Sequence, residues 1–103
     1  MSFFASPRGV SARPLFRLGE IFATPGALAL LQQTGTDVVD LLMRHVKGDW
    51  GVVCPQDARS NDRAVETGTR IVSAYELGDR RERLWIVTEA DRRMTTLLLP
   101  AEY

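Results

Sequence analysis

The chain has 103 residues, 45% apolar and 25% charged, with 13 basic residues against 13 acidic ones. That describes one globular domain with a single core, and the zero formal charge excludes an overall basic nucleic-acid binder or an acidic mimic of a phosphate backbone. A local basic patch stays open, because net charge says nothing about distribution.

Residues 1–14 hold Phe3 and Phe4 but no apolar run, and Pro7, Gly9, Ser11 and Pro14 break any period. They read as a flexible leader on a cytoplasmic protein, since a secretory signal needs an apolar stretch. Residues 15–103 form the domain. Leu15 to Phe22 is apolar but irregular, a short strand or an extended arm. Thr24-Pro25 reads as an N-cap with proline at the first helical position, and Ala27 to Gln33 continues as helix until Gly35. Thr36 is expected to cap a second helix. Val38, Leu41, Leu42, His45 and Val46 fall on one face of it, and Gly48 ends it. A third helix is predicted from Pro55 to about Glu66, with Gly68 behind it.

The period then changes. Thr69 to Leu77 alternates as a strand does, Leu84 to Thr88 is β-branched and aromatic, and Met94 to Leu99 returns before Pro100. Short polar loops join these three, so they are antiparallel neighbours. The fold class is therefore α+β: two to three N-terminal helices packed on a C-terminal three-stranded antiparallel meander, with Leu15 to Phe22 available as an extra strand. Leu84 to Thr88 is expected at the centre.

Several chemistries have no foothold. The single cysteine, Cys54, excludes an intrachain disulfide and zinc sites built on paired cysteines. No window approaches the roughly 18 apolar residues of a membrane span. Glycine-rich phosphate loops, Gly-x-Ser-x-Gly elbows and His-Glu-x-x-His helices do not occur, and no metal or cofactor is implied. The helix pair around Gly35 has the turn of a helix-turn-helix, but the exposed side of its second helix carries Asp37 and Asp40, which phosphate repels. DNA is not an expected partner.

One segment gathers reactive groups. Arg44-His45-Val46-Lys47-Gly48-Asp49-Trp50-Gly51 holds the only histidine and the only lysine. An imidazole titrates near neutrality, Lys47 and Arg70 can stabilise phosphate charge, Trp50 can stack a base, and Thr88, Thr95 and Thr96 offer hydroxyls. Those are the parts of a metal-independent ribonuclease. The same residues also suit a fold: His45 on a buried stripe, Asp49 bonded to its turn, Trp50 as a plug.

Phe22 to Leu28, Leu41 to Gly51 and Leu84 to Tyr103 resemble a family of small uncharacterised proteins encoded on bacterial plasmids and integrated mobile elements, some labelled as restriction–modification related. The resemblance covers about residues 15–103 and implies a bacterial, cytoplasmic, accessory protein. More loosely, helices before an antiparallel sheet resemble RelE-type and barnase-type ribonucleases, from which this neutral chain departs in charge. The expectation is a non-enzymatic domain that binds a protein partner or itself; the alternative is a small endoribonuclease using His45, with RNA as partner.

Overall fold

The computed structural model describes residues 11–103. Their elements are β1 (Glu20–Ala23), α1 (Pro25–Thr34), α2 (Val38–Val46), α3 (Pro55–Thr67), β2 (Ile71–Leu77), β3 (Glu82–Thr88), β4 (Met94–Leu98) and a final 3₁₀ turn (Pro100–Glu102). The class is α+β.

Local chemistry places the helix ends. Thr24 accepts the Ala27 N–H at 3.2 Å, Pro25 opens α1, and Gly35 closes it in the left-handed conformation (φ 64°). The second cap differs from expectation. Asp37, not Thr36, accepts the Val39 N–H at 2.9 Å, because the Thr36 hydroxyl is engaged with Thr34 at 2.7 Å. Cys54 caps α3 through its sulfur, which accepts from the Asp57 N–H.

The sheet has four strands in the order β1-β4-β3-β2. The meander β2–β3–β4 is antiparallel as expected, and β3 is interior. The extra strand changes the topology, however. β1 lies parallel to β4, with Glu20 opposite Met94 and Ala23 opposite Leu97. The sheet is therefore mixed, and its last strand in sequence is interior rather than an exposed edge. A parallel neighbour needs a long crossover, and everything from α1 to β3 supplies it.

Strand alternation gives the sheet two unlike faces. Leu84, Ile86 and Thr88 of β3 point to the inner face, as do Tyr75 and Leu77 of β2 and Leu97 of β4, beneath α1 and α2. A second cluster joins Ile71 to Trp50 and Ala64, with Phe16 packed against it. Arg83, Trp85 and Val87 turn the other way. Of the leader predicted over residues 1–14, residues 1–10 lie outside the described residues. From Ser11 the chain follows the end of α2, where the Ser11 and Leu15 N–H groups donate to the Lys47 and Val46 carbonyls, each at 2.7 Å.

Candidate functional site

The α2 stripe delivers His45 to the inner face of the sheet, where none of its surface reaches solvent. Its Nδ1 lies 2.6 Å from Ser73 Oγ and its Nε2 lies 2.9 Å from Thr88 Oγ1. Thr88 meets Thr95 at 2.8 Å, and the Thr95 hydroxyl donates to the Leu18 carbonyl at 2.7 Å.

The direction of this chain follows from its last link. A carbonyl only accepts, so Thr95 spends its one proton on Leu18 and must accept from Thr88. Thr88 then accepts from His45, which fixes the proton on Nε2, and Ser73 donates to Nδ1. The imidazole is neutral and saturated, with neither a lone pair nor a proton left over. Burial, with a smaller contribution from the nearby Arg92 guanidinium, pushes its pKa down to about 3.

The neighbours of His45 are equally committed. Asp49 takes Arg44 at 2.6 Å and also accepts the Gly51 N–H. Its carbonyl accepts from Tyr75, whose ring lies 4.5 Å beneath the Arg44 guanidinium. Trp50 is buried, donates to Asp62 at 3.0 Å and stacks against Phe16, so it offers no open ring to a base. Lys47 forms the C-cap of α2. Arg70 stands elsewhere: its guanidinium bonds Glu89 and the Tyr103 hydroxyl on the outer side of the sheet. Of the five residues singled out in the sequence, His45 and Trp50 meet in the interior, their rings 6.1 Å apart, while the half-buried Asp49 is tied to Arg44 in the adjoining turn. The sheet lies between Arg70 and His45, so base and phosphate stabiliser are not brought together.

The open surface is on the other side. A cleft of about 660 Å³ lies along the outer face between the sheet and the start of α3. Val72, Ala74 and Trp85 form its floor, Val52 to Cys54 and the first turns of α3 one wall, and Arg70, Arg83 and Tyr103 its far rim. The Trp85 and Tyr103 rings meet edge to face at 5.4 Å. Sequence reasoning placed Trp85 in a strand and missed this role. The available signal was its parity with Arg83, which puts both on one face.

The two sheet edges also differ. On the outer edge of β2, the Asn61 side chain acts as a substitute strand, accepting from the Val72 N–H at 3.1 Å and donating to the Val72 carbonyl at 2.8 Å. Beside it, Ala74 donates to the Trp50 carbonyl and accepts from Val52. This approach needs glycine at 51, where a Cβ would stand 1.9 Å from the Ala74 oxygen. On β1, Glu20 and Thr24 donate to the Arg93 and Leu97 carbonyls of the adjacent chain. Ile21 and Ala23 therefore turn their N–H and C=O groups outward, and among the described residues nothing pairs with them. Ile21 and Phe22 are each 48% exposed.

No family model, curated protein or solved structure matches the chain. Among the described residues, no helix is long and apolar enough to cross a membrane.

Proposed function

We propose that this protein is a non-enzymatic accessory domain, cytoplasmic and of the mobile-element setting its sequence resemblance implies, that associates with a second copy of itself through β1. One observation carries the reading: of two sheet edges, one is blocked by Asn61 and the 50–52 segment, while among the described residues the other is bare. A free edge invites an added strand, and domains without such a role usually blunt it.

The sequence of β1 suits a two-fold antiparallel pairing centred on Phe22. Ile21 then faces Ala23 of the partner subunit and Glu20 faces Thr24 of the partner subunit, so no like charges meet. Ile21 and Ala23 exchange their outward hydrogen bonds with the other copy, and the two exposed phenylalanines come together. The ribonuclease alternative draws no support from the geometry, since its base is sealed and its cations stand apart.

Sedimentation velocity over a concentration series tests the reading. A concentration-dependent dimer is expected, reverting to monomer in Ala23→Pro, which removes an outward N–H, and in Ile21→Lys. A protein that stays monomeric at millimolar concentration, or a dimer indifferent to both substitutions, overturns it.

A further inference from the structure

The outer cleft lies toward the opposite side of the sheet from β1 and carries a different chemistry. Its residues form a row. Arg83 and Trp85 are successive residues on the same face of β3, Trp85 touches Tyr103, and the Tyr103 hydroxyl receives Arg70. Arg83 stands opposite Glu76, six residues along the strand direction from Arg70, so the two guanidinium groups mark the ends of a track about 20 Å long.

Both arginine side chains remain about half exposed. Their carboxylate neighbours, Glu89 at 3.3 Å and Glu76 at 4.0 Å, do not line the cleft. Among its lining residues Asp57 is the one acid beside the two arginines, and each arginine is held by an exposed surface pair weak enough to be exchanged for a phosphate. The floor between the cations is apolar and aromatic, with Tyr103 63% exposed.

We infer that this cleft binds single-stranded nucleic acid. Cations at both ends with ring faces between them match the alternation of phosphate and base in an unpaired strand. Base stacking on such rings tolerates any sequence. A duplex hides its base faces and cannot use the aromatic floor. The length of the track corresponds to on the order of four nucleotides, the short end of such sites.

Fluorescence anisotropy with labelled hexauridylate, at several salt concentrations, tests the inference. Two phosphate contacts predict a log–log salt slope of about −1.4, and Arg83→Ala should reduce it to about −0.7. Trp85→Leu should weaken binding by about ten-fold or more. A readout on the unaltered protein guards against a variant that fails to fold: Cys54 lines the cleft and is exposed, so saturating hexauridylate should slow its alkylation by iodoacetamide. Ile21→Lys should leave binding unchanged, which separates this site from the β1 edge. Absence of binding at millimolar oligonucleotide, a Trp85→Leu affinity equal to wild type, or an unprotected Cys54 overturns the inference. Equal competition by hexaglutamate overturns it in favour of an acidic peptide.

Discussion

The two faces of the sheet use polar residues in opposite ways. On the inner face Ser73, His45, Thr88 and Thr95 form a chain in which every proton has a destination. On the outer face Arg83, Trp85, Tyr103 and Arg70 form a row whose charges and rings still meet water. Residues of the single strand β3 belong to one or the other, Thr88 inside and Trp85 outside. The difference teaches that reactive residue type is a poor guide to function by itself. A polar group saturated and sealed in the interior is part of the fold, and one paired only at the surface can exchange its partner.

Four substitutions or conditions put that contrast at risk. The largest effect is expected from His45→Ala, which opens a cavity, takes the acceptor from the Ser73 hydroxyl and takes the donor from the Thr88 hydroxyl. About 3 to 5 kcal/mol should be lost in urea unfolding, and a cost under 1 kcal/mol would show that the chain is not structural. Acid should act through the same residue. The folded-state pKa of about 3 lies below the ordinary 6.5, so the unfolded state takes up the proton first. Stability is then complete above pH 6.5 and declines as pH falls, by about 3 kcal/mol at pH 4.5, levelling off near pH 3. Nitrogen-15 shifts of the imidazole should report a proton on Nε2 throughout that decline; a protonated or Nδ1–H ring above pH 6.5 contradicts the hydrogen-bond direction. Asn61→Ala should cost about 1 to 3 kcal/mol by unbonding Val72, and should speed amide exchange at Val72. Smallest of all, Arg83→Ala on the outer face should change stability by no more than about 0.5 kcal/mol. A larger loss would make the outer row structural too.

Much of the fold was legible because it is encoded locally. The Thr24-Pro25 start, the Gly35 stop and the stripe ending in His45 and Val46 each rest on neighbours within a turn or two. The stripe also said that His45 faces inward. Its partners could not be read, since Ser73 and Thr88 lie 28 and 43 residues away and only the sheet register aligns them. The parallel docking of β1 on β4 escaped for the same reason: neither Glu20–Ala23 nor Met94–Leu98 carries a residue type that names the other. At the second helix, two adjacent capping residues competed, and the Thr34 hydroxyl decided between them. Trp85 was legible as a strand residue, but its exposure depends on Tyr103 and the α3 wall.

The bond from Thr95 to the Leu18 carbonyl spans 77 residues, and β1 is closed only by the strand that follows it at nearly that distance. During synthesis the first strand leaves the ribosome long before its neighbour exists. At about 5 to 20 residues per second the wait is roughly 4 to 15 s. Throughout it Ile21 and Phe22 have both flanks open. The nascent chain therefore meets every other protein in the cell with both edges of β1 naked, where among the described residues of the folded domain one is.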